Sequence, residues 1–264
     1  MTNIEFCYYP NGLRRALTMS FDDGKLADIR LAELFKKHGI KATFHYNSAN
    51  IGKETFVTAE DIKKISEYHE IACHGVTHAF LDKIPANFAV EEILEDKKAL
   101  EKITGKLVRG LSYPYGTYTD DVLKMLPLLG IEYSRTTANT NSCYLPDNFL
   151  EWHPTCHQAH DIDKMWNKLL KFNKHIRLLY IWGHSYEFDK DNNWERIEKF
   201  CEMIGNNEEV WYATNIEIKD YITALRNLIF SADKKMVFNP SCQPVWIGVN
   251  GEAIEIPAGK TVTL

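Results

Sequence analysis

The chain has 264 residues, a hydrophobic fraction of 45% and a formal net charge of −5 at pH 7. This ordinary globular composition excludes global disorder, and the mild acidity excludes a nucleic-acid partner, because phosphate binding requires clustered Lys and Arg. A membrane partner is excluded as well. The longest strongly apolar runs, such as Leu178 to Trp182, are strand-sized and far below the roughly 18 residues of a membrane span.

Two further features bear on the compartment. Met1 to Pro10 carries no basic region followed by an apolar stretch, so a cytoplasmic location is expected, although a chain trimmed of its signal would look the same. The six cysteines are scattered without a CxxC pair, which predicts reduced, mostly buried thiols rather than a zinc–thiolate cluster. Nothing in the sequence indicates an oligomeric state.

Short β-like runs alternate with amphipathic helices along most of the chain. Ala27, Leu31 and Phe35 recur at helical spacing until Gly39, and Thr58 to Asp61 resembles a capping box that opens a second helix. The predicted strands are Ala16 to Phe21, Ala42 to Tyr46, Ile71 to Cys73, Leu111 to Tyr113, Ile131 to Arg135, Arg177 to Gly183 and Val210 to Thr214. Roughly seven such alternations predict a parallel sheet covered by helices, and periodicity alone does not separate an open sheet from a closed barrel.

The last segment has a different pattern. Val245 to Val249, Ala253 to Ile256 and Thr261 to Leu264 read as strands, and Asn250-Gly251 between the first two is a strong hairpin signal. We therefore predict two parts, a β/α domain over residues 1–230 and a β-hairpin appendage over residues 231–264 that packs on it. A lid over one edge or end of the main domain is the expected role, and a binding module is the alternative.

The first candidate for chemistry is Asp22-Asp23-Gly24, two carboxylates directly after an apolar strand. In parallel β/α folds the carboxyl ends of the strands line the active-site face. Neighbouring residues of a strand point to opposite faces, so both aspartates serve one site only if the chain bends there, and Gly24 permits a bend. The alternative is a capped turn before the first helix.

The second candidate is His74 and His78, four residues apart after another short strand. Two neutral imidazoles at this spacing can reach one ion and suit Zn²⁺, although an isolated pair of histidines is a weak signal. Together with an aspartate from the first candidate, they would form an open site of two imidazoles and one carboxylate, with positions left for water and substrate.

Two further strand ends carry chemically useful groups. His184 follows Gly183 at the end of the most apolar strand, either as a catalytic group or as a histidine bonded to a neighbouring loop. The turn Tyr113-Pro114-Tyr115-Gly116 can aim backbone N–H groups into a site, as an oxyanion hole requires.

In this order the four motifs resemble those of the polysaccharide deacetylases, the NodB-homology or carbohydrate esterase family 4 group, over about residues 17–185. The resemblance implies a distorted (β/α)7-type barrel and removal of acetyl groups from sugars with a divalent metal, Zn²⁺ first and Co²⁺, Ni²⁺ or Fe²⁺ as alternatives. By motif position, the metal ligands would be Asp23, His74 and His78. Asp22 would be the general base, His184 the general acid and the Tyr115 backbone N–H an oxyanion donor.

The sequence departs from this family at identifiable positions. The third motif usually begins with an arginine that orients the base, and Ser112 stands there instead, so Arg109, Lys25 or Arg135 is expected to replace it. No convincing fourth motif is present, and Glu151 to Pro154 is the nearest cluster. His153, His157 and His160 are expected to be surface residues. Glu187 is expected either to orient His184 or to be exposed.

The resulting hypothesis is a metal-dependent hydrolase that removes acetyl groups from an N-acetylated or O-acetylated sugar or oligosaccharide. Tyr113, Pro114 and Trp182 are the expected substrate-binding residues. A cytoplasmic enzyme would meet a small molecule or oligosaccharide rather than a long polymer. The alternatives are a metal-dependent amidohydrolase on a small non-sugar amide or ureide, a catalytically weakened carbohydrate-binding relative, and a structural or regulatory protein with a vestigial site.

Overall fold

The structure is a computed structural model that describes residues 3–171 and 174–264. Its strands, in chain order, are β1 (Ile4–Glu5), β2 (Arg15–Asp22), β3 (Ala42–Tyr46), β4 (Glu70–Cys73), β5 (Gly110–Ser112), β6 (Tyr133–Arg135), β7 (Cys156–His157), β8 (Arg177–Gly183), β9 (Val210–Tyr212), β10 (Ile229–Phe230), β11 (Met236–Phe238), β12 (Val245–Val249), β13 (Glu252–Ile256) and β14 (Thr261–Thr263). Its helices are α1 (Ala27–Lys37), α2 (Ala59–Ile65), α3 (Ala86–Thr104), α4 (Asp120–Met125), α5 (Ile162–Leu170), α6 (Tyr186–Lys190), α7 (Trp194–Ile204) and α8 (Asn215–Arg226).

The main sheet is parallel, as the alternation of strands and helices predicts. Within the described residues its strands lie in the order β6-β5-β4-β3-β2-β8-β7, and β9 pairs with the first half of β2. The predicted strands are all present, with ends that agree or are shifted by at most two residues. The two-residue strands β1, β7 and β10 carry too little pattern to be predicted. The capping box at Thr58 is confirmed, because the Thr58 and Asp61 side chains each bond to the other's backbone N–H.

The strands β2 and β8 show how the sheet separates its two faces. Leu17, Met19 and Phe21 pack outward among the helices, whereas Ala16 and the alternate residues of β2 face the other side. In β8, Leu178 and Tyr180 belong to this inner cluster as well. Two buried layers result, one between sheet and helices and one inside the curved sheet.

The sheet curls into a distorted barrel. Trp152 bridges to Arg135 of β6 at one edge, and four residues later β7 pairs with β8 at the other edge. Residues 152–157 therefore connect the two edges. Trp152 itself is fully buried against Tyr133 and Tyr180, so it fills the interior at the point where the strands are shortest.

The C-terminal strands form two small antiparallel sheets, and the N-terminal strand β1 joins one of them. The strand orders are β1-β12-β13 and β10-β11-β14. The Asn250-Gly251 hairpin is confirmed, with both residues at positive φ. Val237 and Ile247 join the inner cluster of the barrel, so this region packs on the barrel. The division at residues 230 and 231 stays a prediction. Among residues 3–171 and 174–264 no helix combines the length and the apolar character needed to cross a bilayer.

Candidate active site

The core of the site is a layer of side chains from the carboxyl ends of neighbouring strands. Asp22 is paired with His45 in the β2–β3 register, and Ser112 is paired with Arg135 in the β5–β6 register. His74 follows β4 directly. Since each of these residues occupies an inward position, the curled sheet brings all five together at one end of the barrel, where each is buried.

Asp23 joins the same site because the chain bends there. The backbone of Asp23 has a φ of 81°, and Gly24 follows with a φ of 69°. The Asp23 N–H donates to the His45 carbonyl oxygen at 3.1 Å, which ties the bend to β3. The predicted bend is thus present, but it begins at Asp23 itself rather than at Gly24. Positive φ is costly for a residue with a Cβ and is often kept at functional sites.

The three residues predicted as metal ligands, Asp23, His74 and His78, lie together. Asp23 Oδ1 lies 3.6 Å from His74 Nε2 and 3.7 Å from His78 Nε2. Ligand atoms at 2.0–2.2 Å around a tetrahedral ion lie about 3.3–3.6 Å apart, so this donor set fits a divalent ion such as Zn²⁺. His74 Nδ1 donates to the Ser112 carbonyl oxygen at 2.8 Å, which directs Nε2 toward Asp23.

Burial and the neighbouring charges set the protonation of this donor set. Burial lowers the pKa of His74 to about 3, despite the opposing effect of Asp22, so its imidazole is neutral and free to bind a metal. Burial and the neighbouring Asp22 raise the pKa of Asp23, against the lowering effect of His184, His78 and Lys25. A bound cation would remove this repulsion between the two aspartates.

Asp22 is a charged group enclosed by donors. Arg135 Nη2 donates to Asp22 Oδ2, and the Ser112 hydroxyl donates to Oδ1 at 3.1 Å. His45 Nδ1 lies 3.3 Å from the same Oδ1. Burial alone would raise the pKa of Asp22, but Arg135, with His74 and His45, outweighs it and holds the pKa well below its usual value. Asp22 is therefore a carboxylate throughout the neutral range.

Arg135 is the cation that replaces the arginine expected at position 112. It is fully buried at the end of β6 and contacts Asp22 through one nitrogen, so the contact is not bidentate. The other two candidates lie elsewhere. Arg109 binds Glu132 and Asp220, and Lys25 lies over the Phe56 ring.

His184 lies on the other side of Asp23. Its Nε2 is 3.9 Å from Asp23 Oδ2, and its Nδ1 is 3.1 Å from Glu187 Oε1. Glu187 is held in turn by Gln158, whose Nε2 donates to Oε2 at 2.6 Å. Burial lowers the pKa of His184, but the bond to Glu187 and the charges of Asp22 and Asp23 raise it above the usual value. Glu187 therefore orients His184, one of its two predicted roles.

The remaining predicted residues have different surroundings. Tyr115, at a φ of 60°, is half-exposed, and its ring stacks on Phe80 with 3.6 Å between centroids. Tyr113 and Pro114 are buried, and the Tyr113 hydroxyl donates to the Leu150 carbonyl oxygen at 2.8 Å. Trp182 is nearly buried, and the Arg135 guanidinium lies 4.6 Å from its ring centre.

One residue beside His184 and Glu187 was not predicted from the sequence to belong to the site. His157 was expected at the surface, but its Nε2 lies 3.4 Å from Glu187 Oε2 and its ring packs on Trp182. That expectation is wrong because β7, which ends at His157, is too short to reveal a strand end. Gly183 has a packing role here, since a Cβ at this position would lie 2.3 Å from Gln158 Cγ.

The polysaccharide deacetylase family model matches residues 10–134. A chitin deacetylase from Pestalotiopsis sp is 30% identical over 142 residues, which are 53% of this chain and 46% of that protein. A poly-beta-1,6-N-acetyl-D-glucosamine N-deacetylase from Staphylococcus aureus is 25% identical over 174 residues, 55% of this chain and 59% of that protein. The chain thus spans about half the length of these curated relatives.

Two solved structures share the fold over most of the chain. A protein from Mycobacterium smegmatis assigned to the polysaccharide deacetylases aligns with a TM-score of 0.64 at 17% identity, covering 83% of this chain and 93% of that chain. A carbohydrate esterase family 4 pseudoenzyme from Bacillus anthracis aligns with a TM-score of 0.52 at 17% identity, covering 80% and 66%. At these identities the likeness concerns the fold alone, and it confirms the distorted (β/α) barrel.

Proposed function

Because its residues 10–134 match the polysaccharide deacetylase family model, we propose that this chain is a metal-dependent hydrolase of carbon–nitrogen bonds. It removes acetyl groups from an N-acetylated sugar or oligosaccharide. The observation that carries the proposal is the arrangement around Asp23. One of its oxygens faces the imidazoles of His74 and His78, and the other faces His184.

The proposed metal site would supply a Lewis acid. A divalent ion held by Asp23, His74 and His78, with Zn²⁺ as the first choice, would polarise the acetyl carbonyl and acidify water. The contact between Ser112 and His74 Nδ1 holds that ring for Nε2 ligation before any ion binds. Ligands that are already oriented lose little conformational freedom when the ion arrives.

Asp22 acts as the general base. Its Oδ2 lies 3.8 Å from His74 Nε2, so it borders the metal ligands without being one of them. It accepts the proton of the attacking water while Arg135 and Ser112 keep the carboxylate in place. The lowered pKa of Asp22 keeps it ionised throughout the neutral range, although it also weakens the base.

His184 acts as the general acid. An amine is a poor leaving group unless it is protonated, and His184 Nε2 faces the site while Glu187 accepts the Nδ1 proton. The Tyr115 backbone N–H, in the short turn Pro114–Gly116, is the proposed oxyanion donor. The half-exposed Tyr115 ring, stacked on Phe80, offers an apolar face to a sugar ring, with Trp182 as a further proposed contact.

Release of acetate tests the proposal. The chain should release acetate from oligomers of N-acetylglucosamine, lose this activity with a chelator and regain it with Zn²⁺. Asp23→Ala should lose both metal and activity, whereas Asp191→Ala, at an exposed aspartate, should lose neither. Ammonia released from small amides or ureides without acetate would favour an amidohydrolase, and sugar binding without turnover would favour a weakened relative.

A further inference from the structure

A second set of metal-binding atoms lies beside the proposed catalytic site. His157, His184 and Glu187 each offer one donor atom, and these atoms lie within 4.8 Å of one another. We propose that this set binds a second divalent cation, Zn²⁺ in particular, and that this ion inhibits the enzyme. The second site shares no ligand with the set Asp23, His74 and His78.

Each imidazole lies near one oxygen of the Glu187 carboxylate. His184 Nδ1 lies 3.1 Å from Glu187 Oε1, and His157 Nε2 lies 3.4 Å from Glu187 Oε2. Two ligands at 2.0–2.1 Å from a tetrahedral Zn²⁺ lie about 3.3 Å apart, and the three donor atoms lie within 4.8 Å of one another, so the side chains must close by about 1 Å or more to bind an ion through one oxygen of Glu187. The set of two imidazoles and one carboxylate also leaves one position for water.

The site is both held in place and accessible. Gln158 binds Glu187 Oε2 at 2.6 Å, and Trp182 packs against the His157 ring with 4.6 Å between centroids. The three ligand side chains are 16%, 21% and 24% exposed, so an ion from solution reaches them without unfolding the barrel. Binding replaces the hydrogen bond between His184 and Glu187, so we expect it to be weaker than binding at the first site.

Inhibition follows from which nitrogen of His184 is used. An ion on Nδ1 takes the lone pair to which a proton would otherwise be attached, so the ring stays neutral and holds only its Nε2 proton. It then lacks the extra proton that a general acid transfers to the amine. This consequence rests on the proposed function, because it assumes that His184 is the acid. Binding of the second ion does not depend on it.

Metal stoichiometry tests the site directly. The protein, stripped with a chelator, is titrated with Zn²⁺ by calorimetry, and with Co²⁺ by absorption, while acetate release is followed in parallel. We expect two equivalents to bind, and activity to rise with the first and fall with the second. Because a general acid contributes roughly 10²–10⁴-fold in rate, saturation of the second site should lower the rate of acetate release by about 10²-fold or more.

Matched variants then identify the ligands. His157→Gln should bind one equivalent, and its acetate release should not fall when Zn²⁺ is raised beyond that equivalent. Glu187→Gln should also bind only one. His153→Gln, at an exposed histidine bonded to Thr136, should still bind two. A single equivalent in the unmodified protein up to millimolar Zn²⁺, or two equivalents in His157→Gln, would overturn the site. Two equivalents in a protein that releases no acetate would support the site and reject the proposed function.

Discussion

The two sides of the site are held in place by different parts of the fold. On the base side, Asp22, Ser112 and Arg135 are strand residues, and none is more than 2% exposed. On the acid side, His184 and Glu187 follow β8, and their side chains are 21% and 24% exposed. Sheet register therefore fixes the base, whereas the acid depends on local contacts between Gln158, which follows β7, and Glu187 in the first turn of α6.

Substitutions on the two sides should therefore have different effects. A charge buried as deeply as Asp22 must be paired, so changes on the base side affect the stability of the barrel as well as its chemistry. The acid side is partly hydrated, so changes there should leave the fold intact and alter the protonation of His184. The base side thus determines whether the site forms, and the acid side determines the pH range in which it works.

Loss of the acid should give the largest effect on rate. His184→Gln should lower kcat by roughly 10²–10⁴-fold, because it removes general acid assistance. Metal affinity at the first site and the free energy of unfolding should change little, since His184 is not among the proposed ligands and is partly exposed. Near-native turnover of an N-acetylated sugar by this variant, measured with its metal content, would reject the role of His184.

Loss of the buried cation should give the largest effect on stability. Arg135→Met leaves the Asp22 charge buried without its main partner, which costs about 3–5 kcal/mol in the free energy of unfolding. Chemical denaturation measures this cost. Asp22→Asn in the same chain should recover much of the stability without recovering activity, because it removes the unpaired charge together with the base.

Arg109→Met is the control for that change. Arg109 binds Glu132 and Asp220, but its side chain is 29% exposed, so its removal should cost about 1 kcal/mol or less. Equal costs for the two arginines would show that burial of Asp22 does not set the stability of the base side.

The pattern of the sequence was sufficient to predict a parallel β/α sheet with candidate residues at its strand ends, and the family resemblance added the barrel. Strands β2 and β8 are long enough to show apolar runs, and the candidates at their ends, Asp22, Asp23 and His184, do lie at one end of the sheet. The candidates Asp22, Asp23, His74, His78 and His184 do lie together. Strand ends are predictable because parallel strands direct their carboxyl ends to the same side.

The features of the site that the sequence did not predict depend on contacts between distant segments. Which of Arg109, Lys25 and Arg135 reaches Asp22 follows from the β5–β6 register, and register is not visible in a three-residue strand. The role of His157 depends on a two-residue strand, for the same reason. Arg135 could have been favoured on one ground, that it ends a predicted strand as the other site residues do.

Loss of Glu187 should shift the pH profile of the enzyme. Glu187 raises the pKa of His184, and the acid must be protonated, so activity falls as the pH rises through that pKa. In Glu187→Gln the pKa of His184 is lower, and the alkaline limb of kcat/KM should move to lower pH. Loss of a hydrogen bond to a charged group also predicts a decrease of roughly tenfold in rate. An unshifted alkaline limb would show that Glu187 does not set this pKa.

Loss of the Ser112 hydroxyl should give the smallest effect on activity. It tests whether the hydroxyl supports the base Asp22 or also orients the proposed metal ligand His74. In Ser112→Ala, Asp22 Oδ1 loses one donor at 3.1 Å, while the position 112 carbonyl oxygen still accepts from His74 Nδ1. We therefore expect a cost of about 1–2 kcal/mol in stability and a several-fold loss of kcat/KM. Zn²⁺ affinity should stay nearly unchanged, because the orientation of His74 is kept by a backbone group. Ser134→Ala, at a buried serine of β6 on the opposite face, is the matched control and should leave kcat/KM unaltered. A large loss of Zn²⁺ affinity in Ser112→Ala would mean that the hydroxyl at 2.7 Å from His74, rather than the carbonyl, orients the metal ligand.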